Sequence, residues 1–312
     1  MREQKLSSLI LTVIIYCFCA TPSTTIAQNG ALVTDIRAYT PLWEGERFPD
    51  GRPKVPDDVL ERMKVVSIDE AWDFLHEEGY DYQFEDGWVT TGDNPVLVGR
   101  ALTALFMPLR PDVNDASILG FDKDETRFTH HSKEVIDRVV DKDVIVVDLY
   151  GKVHKGTFFG NNFATNIYAL SKNGIVVDGG GRDLDIVKNI PGFVTYTRGW
   201  DPTHMRNTML VGINTPIRIG NATAMPGDVV LGGSEGVIFI PAHLARKLVD
   251  TTELVRLKDE FRAICYQKKT YPLESLYGTE WTEEIERGYE EFVKELDRKG
   301  RLTPYQRKML LK

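Results

Sequence analysis

The chain has 312 residues, 42% of them hydrophobic and 27% charged, with a formal net charge of −8. That length and composition suffice for a full hydrophobic core and exclude a wholly disordered chain. The acidic balance and the absence of a long basic run argue against nucleic acid as a partner, because a nucleic-acid binder needs a basic face.

The chain opens with Arg2 and Lys5, an apolar run from Leu9 to Ala20, and the small-x-small sequence Thr25-Ile26-Ala27. This is the pattern of a secretory signal peptide over residues 1–27, and it predicts a secreted or periplasmic mature protein. The apolar run is shorter than the roughly 20 residues of a spanning helix, so no stable membrane anchor is expected after cleavage. Cys17 and Cys19 leave with that segment, and Cys265 remains alone, packed as a small apolar residue.

Residues 28–58, rich in Pro, Gly and charge, read as an irregular arm. A helix is predicted to start near Pro56-Asp57-Asp58, and a second at Ser67, which has capping-box spacing to Glu70. Val96–Phe106 is a strand candidate, 111–132 is loop-like, and Glu134–Val140 reads as a short helix. The β-branched run Val144–Tyr150 predicts a buried strand. A glycine-punctuated loop follows (Gly151, Gly156, Gly160), then a helix over Ala164–Lys172 ended by Gly174, then a strand at Ile175–Asp178. Short strands are predicted at 216–219, 228–231 and 237–240, and helices at 242–262 and 282–298. The mixture predicts a layered α/β or α+β domain.

The chemistry concentrates in residues 144–183, a βαβ-like crossover whose two strand-end loops should lie together. The free amides of Gly160, Asn161, Asn162 and Phe163 at a helix start can hold a carboxylate. Gly179-Gly180-Gly181 is expected to bend tightly and present Arg182, whose planar fork suits a carboxylate or enolate, and Asp183, which suits Mg²⁺ or Mn²⁺. The glycine spacing is not a dinucleotide fingerprint. His154 is the best spare acid–base candidate. His130 and His131 read as solvated loop residues, His204 as an ordinary loop residue, and Asp178 as a cap on the glycine turn. Lys152 and Lys155 could draw in an acidic substrate but read equally as surface lysines, and Ser234 lacks a nucleophile-elbow context.

Arg182-Asp183, with Gly160, Ala164, Gly174, Val177, Asp178 and Gly179 around them, resembles the signature region of the RraA-like family, which includes class II 4-hydroxy-4-methyl-2-oxoglutarate aldolases. Gly99–Thr103, Asn214–Gly220, Pro226-Gly227-Asp228 and Glu235–Pro241 are similar to other strands of that family, so the resemblance spans roughly 60–262. It implies a layered β/β/α swivelling-type domain over 59–262, with 263–312 as a C-terminal helical extension. It also implies a homotrimer or hexamer with sites between subunits, and a metal-dependent lyase acting on a small pyruvyl-type oxo acid. Asp183 would be the metal ligand, Arg182 the catalytic substrate clamp, and the amides of residues 160–163 the carboxylate cradle. A further acid is expected across the interface, with Asp259 or Glu260 as candidates. Some relatives regulate a ribonuclease, so a non-catalytic regulatory or binding protein is the alternative; an exported chain would not meet that partner. The family's acidic residue falls on Asn161, twenty-one positions before Arg182. Asn cannot take a proton from water at neutral pH, which points to a poor aldolase of that type, a decarboxylase, another base such as His154, or lost catalysis.

Overall fold

The computed structural model describes residues 35–92, 95–112, 127–278 and 280–311, with the side chains of 127–130 left aside. The expected signal peptide and the His130 side chain lie outside the described residues.

The central sheet runs β1 (Phe84–Glu85), β11 (Val237–Ile240), β10 (Val229–Gly232), β3 (Leu97–Pro108), β4 (Asp143–Phe159), β5 (Ile175–Gly181), β6 (Thr195–Trp200) and β2 (Val89–Thr90). β3, β4, β5 and β6 are mutually parallel, and β10, β11, β1 and β2 are antiparallel additions. β3 is long enough to take β10 along Leu97–Arg100 and β7 (Thr208–Ile213) along Ala104–Pro108.

Period-two alternation along β3 sorts the core into layers. Val98, Leu102, Ala104 and Phe106 face helices, and Leu97 and Ala101 face the opposite side. On the helical face, α2 (Asp57–Met63), α3 (Ile68–Glu77) and α7 (Ala245–Lys268) cover the antiparallel half. There α4 (Arg127–Ile136) and α5 (Asn161–Ser171) cover the parallel half. The other face is closed by the two-stranded ribbon β8 (Ile217–Ile219) and β9 (Ala222–Ala224). The result is the layered β/β/α arrangement expected.

A short helix, α1 (Ile36–Tyr39), opens the arm. The arm is tied down by Arg52, 1% exposed, which holds the wholly buried Asp143 at the start of β4 through bonds of 3.1 and 3.0 Å. At the other end, Phe261, Cys265, Leu276, Ile285, Tyr289, Val293 and Leu296 form a separate apolar cluster. It joins α7 to α8 (Leu273–Tyr277), α9 (Glu283–Arg298) and α10 (Pro304–Leu310). Cys265 is buried in that cluster, as an apolar residue would be.

The α3 capping box is present, with Ser67 and Glu70 exchanging bonds of 3.1 and 2.8 Å. Several expectations require correction. The helix placed at Glu134–Val140 lies at Arg127–Ile136, and His131 is a buried helical residue, not a solvated loop one. The helix start expected at Gly160–Phe163 is present, with α5 running from Asn161, while the helix over 242–262 runs from Ala245 to Lys268. The left-handed residue ending α5 is Lys172, with φ 56°. Gly174 is required for another reason: a Cβ there would stand 1.8 Å from the Val194 carbonyl oxygen, because β5 and the chain entering β6 are in near contact. Strands β6 and β7 were not expected at all; their Gly- and Thr-bearing sequences carry little apolar alternation.

Candidate active site

Two of the structural corrections fall on the site itself. The segment read as a glycine-punctuated loop is assigned to β4 through Phe159. Its register against β5 slips, however: Asp148 pairs with Asp178, Lys152 with Gly179, Thr157 with Gly180 and Phe159 with Gly181. Eleven steps along β4 thus match three along β5, and the surplus chain folds out between Asp148 and Thr157 through left-handed Tyr150, Gly151 and Lys155.

Gly179-Gly180-Gly181 is likewise not a turn. These residues are the buried end of β5. A Cβ on Gly179 would meet the Leu149 side chain at 2.8 Å, and one on Gly181 would meet Phe159 at 2.8 Å and Trp200 at 2.9 Å. The glycines are there because side chains from both flanking strands occupy their space. The bend comes one residue after Arg182, where Asp183 adopts a left-handed conformation (φ 62°) and opens α6 (Leu184–Val187).

The parallel β4–α5–β5 crossover brings the two predicted segments together. The Arg182 N–H donates to the Phe159 carbonyl at 3.1 Å. The Asn161 N–H donates to Asp183 Oδ2 at 3.0 Å. Between them sits Gly160, the residue before α5, where a Cβ would lie 2.6 Å from Asp183 Oδ2 and 2.8 Å from Arg182 Nε. Asp183 is exposed and Arg182 half-buried. Among the described residues the Arg182 guanidinium makes no ion pair or hydrogen bond, and Asp183 pairs with no cation. The Asn161 amide is already taken by Asp183, so the helix start offers the N–H groups of Asn162 and Phe163, which have no carbonyl partner in the first turn. The Asn161 side chain accepts a long bond from Thr165 Oγ1, 3.4 Å.

His154 lies on the fold-out of β4, with Nδ1 3.1 Å from Asp201 Oδ2. Asp201 follows β6 and donates its own N–H to the Gly181 carbonyl at 3.0 Å, which puts the His154–Asp201 pair beside the strand that ends in Arg182. Hydrogen bonds from Thr203, and then from His154, hold the Asp201 carboxyl down to about 2.

Other singled-out residues serve elsewhere. Asp178 caps no glycine turn; it accepts from Arg198 Nε at 2.6 Å on the ribbon face of the sheet. Arg198 in turn pairs with Glu85 and lies 4.0 Å from the Trp88 ring centroid. Next to Asp178 in register, Asp148 is pushed up by burial and by the Asp178 charge. Lys152 Nζ donates to the Arg206 carbonyl at 2.7 Å. Asp259 and Glu260, on α7, pair with Arg262 and Arg301. Sequence reasoning missed Asp201, Thr203 and Arg198, which reside on or just after an unforeseen strand.

Among the described residues, no group of three or more His, Cys, Asp or Glu is placed to hold a metal. An exposed carboxylate with one oxygen oriented by a backbone amide does fit a hard cation such as Mg²⁺, which keeps most of its waters and takes one or two carboxylates.

The family model for RraA-like proteins, described as Aldolase/RraA, matches residues 66–239, more than half the chain. The chain belongs to the RraA-like family. Protein DlpA of Legionella pneumophila is 27% identical over 169 residues, covering 53% of this chain and 24% of that protein. A putative 4-hydroxy-4-methyl-2-oxoglutarate aldolase of Halalkalibacterium halodurans is 30% identical over 120 residues, 38% of this chain and 56% of that one. The chain thus spans well under two thirds of the length of either relative.

Solved structures share the RraA-like fold. Streptomyces coelicolor RraAS2, described as an unusual member of the RNase ES inhibitor RraA protein family, superposes with a TM-score of 0.57 at 24% identity, over 68% of this chain and 98% of that one. An uncharacterized protein from Pseudomonas syringae pv. tomato gives 0.57 at 22% identity, over 72% and 100%.

Proposed function

We propose that this RraA-like chain is a divalent-metal-dependent carbon–carbon lyase acting on a small pyruvyl-type oxo acid. One observation carries the reading: a half-buried guanidinium, Arg182, without a partner among the described residues, set against the free amides that open α5 and beside the exposed Asp183 carboxylate. A half-buried cation without a counter-ion is costly to keep, and an anionic substrate supplies what it lacks.

Arg182 binds the substrate carboxylate through its planar fork, and the Asn162 and Phe163 N–H groups receive the oxygens. Asp183 would hold Mg²⁺ or Mn²⁺ in the orientation fixed by the Asn161 N–H. When bound, the cation supplies Lewis-acid stabilisation of negative charge developing on the 2-oxo oxygen. Asn161 orients water and cannot deprotonate it, so loss of CO₂ from an oxo acid, which needs no base to remove a hydroxyl proton, suits the site better than aldol cleavage. Where a proton must move, His154, oriented by the ionised Asp201, is the group available.

The test is pyruvate release from oxaloacetate by purified protein with Mg²⁺ or Mn²⁺. Metal-dependent release that Asp183→Ala abolishes supports the reading; rates at metal-independent background in both proteins overturn it for this substrate.

A non-catalytic oligomeric binding or regulatory role on the same scaffold is favoured by one feature, the Asn at 161 where the resemblance expects an acid. Either role fits a homotrimer or hexamer. Leu184 and Ile186, at 38% and 55% exposure on the α6 that Asp183 opens, are exposed apolar side chains beside the site, and light scattering of the purified chain reads the state. Export is the remaining part of the proposal, resting on the pattern of residues 1–27, and the N-terminal sequence of the protein recovered outside the cytoplasm tests it.

A further inference from the structure

A cavity lies under the arm, and none of its lining residues belongs to the Arg182–Asp183 site. Its volume is about 200 Å³, and Trp43, Tyr80, Gln83, Met225, Asp228 and His243 are among its walls. It adjoins a wider cleft of about 720 Å³, which shares Leu42, Trp43, Ala242 and His243. Most charged residues of the cleft are paired, Lys54 with Glu46, Arg246 with Asp58 and Arg100 with Asp57. Among the described residues, no Lys, Arg or Glu lines the smaller cavity.

Its polar groups are few and held in place. Asp228 is 3% exposed, and one oxygen accepts from the Met225 N–H at 2.9 Å. Burial pushes its carboxyl up to about 8, which favours the protonated form, with a proton to donate, at neutral pH. His243, lowered by burial, is a neutral imidazole with Nε2 3.5 Å from the Tyr80 hydroxyl. The Gln83 amide nitrogen is occupied by the carbonyls of Thr223 and Phe239. The Trp43 ring is fixed on the arm by its bond to the Glu46 carbonyl at 2.9 Å and by Gly45, where a Cβ would be 2.4 Å from the ring. A small, mostly apolar pocket with one or two placed neutral polar groups is the ordinary form of a small-molecule site. A dry cavity of about 150 Å³ takes benzene, so this one has room for a single ring with a short substituent.

We propose that this cavity binds a small uncharged aromatic molecule with one hydrogen-bond acceptor, a single-ring ketone in class, its ring against Trp43 and Tyr80 and its acceptor on the Asp228 carboxyl. An anion finds no cation among the lining residues, and a cation would have to ionise a carboxyl enclosed in apolar surroundings.

The experiment titrates the full purified chain with acetophenone, benzoate and benzamidine, followed by ligand-observed NMR. Acetophenone is expected to saturate, with the two charged probes about tenfold weaker or more. Trp43→Ala and His243→Leu should each weaken acetophenone by about fivefold, and Asp228→Asn, which keeps an acceptor for Met225 and a donor for the ligand, should stay within about twofold. His243→Leu leaves the arm intact and decides the matter if Trp43→Ala does not fold. Absence of saturable acetophenone binding, tighter benzamidine binding, or an affinity unmoved in whichever of Trp43→Ala and His243→Leu folds each overturns the proposal. Metal-dependent pyruvate release is expected unchanged in these variants, so the two sites fail independently.

Discussion

Asp183 Oδ2 accepts the Asn161 N–H at 3.0 Å, which links the second residue after β5 to the first residue of α5. The carboxylate therefore closes one helix amide and at the same time stands exposed in the candidate site. The two roles separate by substitution. Asp183→Asn keeps an acceptor for the amide and should cost little stability, while metal-dependent turnover is lost. Asp183→Ala should lose turnover and also about 1 kcal/mol, the usual worth of a helix-start cap, read by urea denaturation. Equal stabilities for the two variants would show that the bond to Asn161 carries no weight.

Gly160 should tolerate no side chain. Its φ of −133° suits any residue, so the obstacle is contact and not backbone strain. An added methyl at 2.6 Å from Asp183 Oδ2 and 2.8 Å from Arg182 Nε must push both aside. Gly160→Ala is expected to cost about 1–3 kcal/mol and to reduce kcat/KM by more than that loss of folded protein explains. Steady-state kinetics on the folded fraction checks this.

Asn161→Asp would restore a carboxylate at the helix start, where the backbone dipole favours negative charge. If Asn161 is a degenerate base position, lyase activity on a 4-hydroxy-2-oxo acid should rise. An unchanged or lower rate would assign Asn161 a different chemistry.

The arm latch should be strongly asymmetric. Arg52→Met alone leaves buried Asp143 without its partner, and a loss of about 3–5 kcal/mol is expected. Arg52→Met combined with Asp143→Leu should recover much of it, since the pair's mutual attraction mainly offsets its own desolvation. Thermal or urea unfolding of the two proteins gives the comparison.

Asp228 predicts a pH signature. Its folded value, about 8, lies above the ordinary carboxyl range of the unfolded chain. Below that ordinary range both states hold the proton and there is no penalty. As pH rises toward 8 only the unfolded state is ionised, so stability declines, by up to about 1.4 kcal/mol per pH unit from this group, and levels off above 8. Asp228→Asn should therefore stabilise the protein more at pH 8 than at pH 5. A difference that does not change with pH would place an ionised carboxylate at this position.

Much of this was legible in the residues. Strands β4, β10 and β11 were readable because both their faces are buried, which demands unbroken β-branched sequence. The α3 start was readable because Ser67 and Glu70 satisfy each other locally. Arg182 and Asp183 were recognisable through a motif whose spacing reflects one helix between two strands. The strand β6 was not, and with it went Arg198 and the Asp201 partner of His154. Its Thr, Arg and Gly residues become strand only because β5 supplies a parallel edge beside them.

What the sequence determined by itself is the set of local choices: which runs are apolar on both faces, where helices are capped, and which charged residues have no reason to be apolar. What tertiary structure decided is the meaning of the glycines. Gly179, Gly180 and Gly181 looked like a bend and are a strand end: Leu149 fills the space a side chain would need at Gly179, Phe159 and Trp200 that at Gly181, and the Val153 backbone crowds Gly180. Local sequence encodes conformational freedom, and only packing reveals whether a glycine serves to turn the chain or to make room for its neighbours.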